Sequence, residues 1–158
     1  MLIDSAQNGS RIALLQDKQL LELHSEGMDN QFKVGDIYLG TVRKIVNGLN
    51  AAFIDVGYEK DAFLHYQDLG SNINSLLKFT KMVRNNNYTN YMLKGFENDP
   101  EIEKVGKIDK ILAKTNQVLV QVVKEPISTK GPRLSCELSL PGRDLVLVPF
   151  SDTVNVSK

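Results

Sequence analysis

The sequence has no tryptophan, a single cysteine and only two histidines. With Cys136 alone, no disulfide can close within the chain, and zinc held by a cysteine cluster is excluded for this chain by itself. Cys136 sits in an apolar-rich stretch, where a thiol acts as a small buried hydrophobe, and such cysteine usage fits a reducing cytoplasm. His24 and His65 are far apart and lack metal-ligand spacing. No G-x-S-x-G, no H-E-x-x-H and no phosphate loop is present. Asp55 and Asp61 flank a turn, where outward acids ordinarily serve solubility. The residues themselves therefore define no catalytic site and no metal site.

Long apolar runs are also missing. None approaches the roughly 20 residues that span a bilayer, so no membrane partner is expected. Met1-Leu2-Ile3-Asp4-Ser5 has neither the basic region nor the apolar core of a signal peptide. Net charge is lacking too: 19 basic groups balance 19 acidic ones, which argues against a protein held to nucleic acid by charge alone. The charges are unevenly spread. Residues 1–36 carry three basic against six acidic groups and residues 71–117 carry eight against five, so the later half is mildly basic.

What is present is mostly strand. Residues 11–15 and 19–24 read as an N-terminal β-hairpin around a polar turn at Gln16-Asp17-Lys18. Ile37 to Val46 is a long β-branched run interrupted by Gly40, a residue suited to a bend or a close backbone approach. Asn47-Gly48 then predicts a type I′ turn, and Leu49 to Val56 the return strand. Ala62 to His65 completes a three-stranded meander.

Residues 71–117 change character. Ile73, Leu76, Leu77, Thr80 and Val83 recur at helical spacing, residues 85–90 read as an irregular mobile loop, and 108–113 as a second short helix. Val118 to Val123 and Arg133 to Leu140 supply two more strands. A five-stranded OB-fold barrel over residues 34–140 follows, mainly β, with a long, partly helical insertion at about 71–115 between its third and fourth strands. The N-terminal hairpin (1–33) and the run Leu145–Phe150 (within 141–158) lie outside this barrel. Each needs a partner to bury it, which reads as a protein that continues past Lys158.

Alternation along the second strand turns Ala52, Ile54 and Val56 inward and Phe53 outward. Phe63 and His65 share a face of the third strand. In meander register the three form an exposed patch on which bases can stack, at about 1–3 kcal/mol per base. The competing reading makes one phenylalanine core and His65 structural. The loop from Lys124 to Arg133 carries three cations, with Lys130 and Arg133 near its end, and Gly131 lets backbone approach a phosphate. A solvated hairpin tip would have the same composition.

Val34-Gly35-Asp36-Ile37-Tyr38-Leu39-Gly40, Leu49 to Gly57 and Lys60 to His65 resemble the RNA-binding domain named after ribosomal protein S-one. Leu119 to Glu125, Thr129-Lys130-Gly131 and Gly142 to Pro149 sharpen the resemblance to the bacterial ribonuclease E/G family. It covers the chain apart from about residues 71–107, which look inserted. It implies a metal-dependent endoribonuclease that cuts single-stranded, A/U-rich RNA in rRNA processing and mRNA decay. It implies RNA contact by Phe53, Phe63 and Lys130, and a 5′-end sensor that includes Gly142 and Val146. Gly142 as an ordinary turn and Val146 as an ordinary buried strand residue are the alternatives.

The resemblance places the catalytic magnesium aspartates, the zinc-binding cysteine pair and the rest of the sensor in sequence after this chain. No cofactor is expected in this stretch itself. It further makes residues 1–33 part of a ribonuclease-H-like subdomain completed by later sequence. Many relatives carry an aromatic where this chain has Leu49-Asn50, so the stacking face is expected to be smaller. The leading expectation is capture of single-stranded RNA without hydrolysis, ahead of a downstream nuclease domain. The alternatives are a stand-alone RNA or ribosome adaptor, and a homo-oligomer paired through unpartnered strands.

Overall fold

The computed structural model describes residues 1–6, 9–27, 32–85, 93, 95–151 and 153–156. The fold is mainly β and divides into two units, Met1–Lys33 and Val34–Lys158.

The first unit is a three-stranded antiparallel sheet rather than the expected hairpin. Strands β1 (Leu2–Ala6), β2 (Gly9–Gln16) and β3 (Gln19–Gly27) lie in that order. Strand β1 has no alternation to announce it. It is fixed by pairing: Asp4 stands opposite Arg11, and their side chains form an ion pair at 2.7 Å. Between β2 and β3, Asp17 and Lys18 take φ of 50° and 68°, so both central residues have the positive φ that a type I′ turn requires.

The second unit is a closed five-stranded barrel. Strands β4 (Ile37–Val46), β5 (Ala51–Asp55) and β6 (Ala62–His65) form the expected meander, and β7 (Gln117–Lys124) and β8 (Arg133–Ser135) complete it. The order around the barrel is β4-β5-β6-β8-β7. All pairs are antiparallel except β6 with β8, which meet in parallel at Phe63 and Arg133. Gly40 is a site of close approach, but by side chains rather than by backbone. A Cβ there would run into the side chain of Ile54 and approach that of Val56 at 3.3 Å.

Two local expectations are corrected. Asn47-Gly48 does not form a type I′ turn. Asn47–Leu49 is a turn of 3-10 helix, and the left-handed residue is Asn50, at φ 47°. Its carboxamide explains the choice: Nδ2 donates to Gly106 O and Oδ1 accepts from Ile108 N–H, both at 2.8 Å. The fifth strand also stops at Ser135 instead of running to Leu140. Beyond it the side chain of Gln121 replaces the backbone ladder, donating to Ser139 O and accepting from Ser139 N–H. Leu140–Pro141 (β9) pairs instead with Val146–Leu147 (β10) in a two-stranded ribbon.

Between β6 and β7 runs helix α1 (Ile73–Arg84), as the spacing predicts. The second predicted helix is only a 3-10 turn, Ile108–Lys110. Of the loop expected at 85–90, residues 86–90 lie outside the described residues. The core joins barrel and helix: Val42, Ile54, Leu64, Val118, Val120 and Leu134 continue into Leu69, Ile73, Leu76 and Leu112. Phe79, Phe96 and Phe150 meet mutually with centroids 5.4–5.8 Å apart, so Phe150 packs against the helix, whereas Leu145, Val146 and Leu147 of the same apolar run stay more than half exposed.

Candidate nucleic-acid interface

The β5–β6 register sets the site. Ala52 pairs with Leu64 inside the barrel, which turns the next pair, Phe53 and Phe63, outward. Both rings are half-buried and meet edge to face, 5.9 Å apart at 72°. That geometry leaves a ring face for another π-system. Lys44 stands opposite Phe53 on β4.

The two rings line an open cleft of about 850 Å³. Leu49 and Ile127, 55% and 56% exposed, extend its apolar surface. Lys60, Lys124, Lys130 and Arg133 supply cations, while Asp61 and Glu125 are the acids in the lining. Lys130 closes a tight turn through hydrogen bonds in both directions with Ile127, at 3.0 and 3.2 Å. The cleft thus combines what a single strand requires: apolar rings for bases and ammonium groups for phosphates.

Gly131 also serves the fold itself. The backbone it approaches is this chain's own: a Cβ would stand 2.7 Å from Lys60 O and also strike Asp61. Glycine there lets the β7–β8 loop close on the β5–β6 turn, bringing Lys60 beside Lys130. Arg133 is only partly available. Its Nε and Nη2 bond the carboxylate of Asp68 at 2.9–3.2 Å.

His65 shares the face of Phe63 but lies outside the cleft lining. Its Nδ1 accepts from Gln67 N–H at 3.2 Å, capping the 3-10 turn after β6. Gly142 forms the β9–β10 turn, donating to Leu145 O at 2.8 Å, and Val146 is 56% exposed rather than buried. Lys60 and Ile127 escape sequence reading because neither sits on a strand with a recognisable face. Only the Gly131 contact brings Lys60 in.

Elsewhere on the surface, Gly57 N–H and then Arg43 hold the Asp55 carboxyl below its ordinary range and leave Asp55 committed to structure. Burial pushes the Cys136 thiol well above its usual value, which suits a packing role rather than a nucleophile. Among the described residues no three His, Cys, Asp or Glu side chains gather as metal ligands. The described residues therefore offer no three-ligand set for the magnesium or the zinc that the resemblance implies for longer proteins. Among the described residues no helix is long and apolar enough to cross a membrane.

A closed five-stranded barrel bearing an aromatic cleft with a cationic rim is consistent with the ribosomal-protein-S-one type of domain. No protein-family model matches the chain. It is 36% identical over its whole length to ribonuclease G of Haemophilus influenzae and 30% identical to ribonuclease G of Escherichia coli K12. In both cases it spans 28% of the relative's length. It is also 38% identical, over 80% of the chain and 15% of the relative, to ribonuclease E of a Synechocystis species. The chain is homologous to the N-terminal part of ribonucleases of the E/G family.

Proposed function

We propose that the barrel is an OB-type domain that captures single-stranded RNA, and that the chain acts as the substrate-capture part of a metal-dependent endoribonuclease. The observation that carries this reading is the half-exposed Phe53–Phe63 pair set among lysines in an open cleft. In a soluble barrel, outward aromatics are costly unless something stacks on them, and every base offers a π-face. Phe53 and Phe63 serve as stacking platforms. Lys60, Lys124 and Lys130 hold phosphates, with Arg133 as a secondary contact and His65 as a flanking one.

Gly142 and Val146 are assigned to a 5′-end sensor completed by residues outside this chain. The first unit is assigned to a ribonuclease-H-like subdomain likewise completed elsewhere. Cleavage, the metals it uses, and the setting in rRNA processing and mRNA decay belong to the longer protein. A second reading, homo-oligomerisation through the open edges of β1 and β3, predicts a sedimentation coefficient that rises with concentration.

The test is fluorescence anisotropy with a short 5′-labelled, A/U-rich single strand. Phe53→Ala weakens binding by about 1–3 kcal/mol, the worth of one stacked base. No binding by the wild type at high protein concentration would make the barrel a scaffold and overturn the reading.

A further inference from the structure

Helix α1 and the entry to β7 enclose a second cleft, of about 600 Å³, distinct in lining from the aromatic one. Its cations are Lys78, Lys81 and Arg84. Lys78 is already committed, to Asp99 at 2.9 Å and Glu97 O at 2.8 Å. Lys81 and Arg84, in the last helical turn, are exposed and have no carboxylate within 4.0 Å among the described residues. Carboxamides surround them.

We propose that this cleft is a second RNA contact, where Lys81 and Arg84 hold phosphates. The proposal rests on the reading of the barrel as an RNA-binding domain and extends the path of the strand. Gln117 and Lys124 are the two ends of β7. Seven steps of about 3.3 Å place the clefts at strand ends about 23 Å apart. A strand filling the aromatic cleft alone does not reach α1; one near the upper end of OB site sizes does. The excess of cations in residues 71–117 then has a use.

The probes are A/U-rich single strands of about five and about fifteen nucleotides, bracketing the range of OB site sizes. With Lys81→Glu/Arg84→Glu in the full chain, affinity for the longer strand falls about tenfold. Its salt slope drops by about 1.4, from two lost phosphate contacts. The short strand binds as before.

Unchanged affinity for the long strand, with only a lower melting temperature, would reduce the two cations to compensators of the helix dipole and overturn the proposal. If the charge-reversal variant fails to fold, Lys81→Gln/Arg84→Gln is read by the same criteria. If the wild type binds neither strand, the RNA-binding reading itself falls and takes this one with it. If the variant binds both strands normally, only the second cleft falls.

Discussion

Arg133 lies on the rim of the aromatic cleft, yet Asp68 holds its guanidinium through three hydrogen-bond contacts. Asp68 is mostly covered and its backbone carbonyl also receives Ser135 Oγ and Cys136 N–H, so the pair anchors the start and end of β8. We expect Arg133→Ala to lower stability by about 1 kcal/mol, the value of a charge-assisted pair discounted for its half-exposed arginine. It should weaken RNA binding less than Lys130→Ala does. A urea midpoint that does not move, with RNA affinity lost, would assign Arg133 to the ligand instead. At this scale the aromatic pair was legible because strand alternation fixes which side of Phe53 and Phe63 faces out. The commitment of Arg133 was not, since Asp68 is distant in sequence and outside any strand.

Asn50 carries most of the connection between the β4–β5 turn and the segment that leads into β7. It gives one hydrogen bond to Gly106 O and takes one from Ile108 N–H, while its backbone holds a left-handed conformation. Asn50→Gly keeps that conformation accessible and removes only the bridging amide. It should cost about 1–3 kcal/mol, because a partly buried N–H and a carbonyl lose their partners. Hydrogen exchange at Ile108 and Leu112 should quicken; unchanged exchange and stability would refute the bridge. The same residue explains why an Asn-Gly rule failed here. A turn rule weighs two residues and their φ preferences, whereas Asn50 is fixed by groups more than fifty positions away. The two-residue turn with positive φ went instead to Asp17-Lys18, which local composition marks only as polar. Strand β8 was overestimated for a related reason, because Gln121 looks like an ordinary strand residue until its amide is seen serving Ser139.

Across the molecule, the barrel and α1 share one apolar core, but the sheet of the first unit leaves several large side chains exposed. Leu2, Ile3, Leu20, Leu21 and Leu23 are each more than half exposed. Protection from exchange follows buried contacts, so amides of β2 should exchange faster than those of β5 and β7 in a dilute sample. Equal protection would mean that the sheet is covered in solution, by another chain or otherwise. The five-stranded plan was readable because each barrel strand has its own apolar run. The pairing that closes the barrel was not, because it is a single parallel contact, Phe63 with Arg133, helped by Gly131 lying against the backbone at Lys60 and Asp61.

The absence of tryptophan makes the central claim directly measurable. Phe53→Trp places a single indole on the cleft, and a base stacked on it quenches its emission. With Phe53 as a stacking platform, single-stranded A/U-rich RNA quenches the indole saturably, with the same midpoint as anisotropy, and the quenching is lost when Phe63→Ala is added. RNA binding seen by anisotropy with no change in the indole emission would contradict it, because the strand would then be held elsewhere on the molecule.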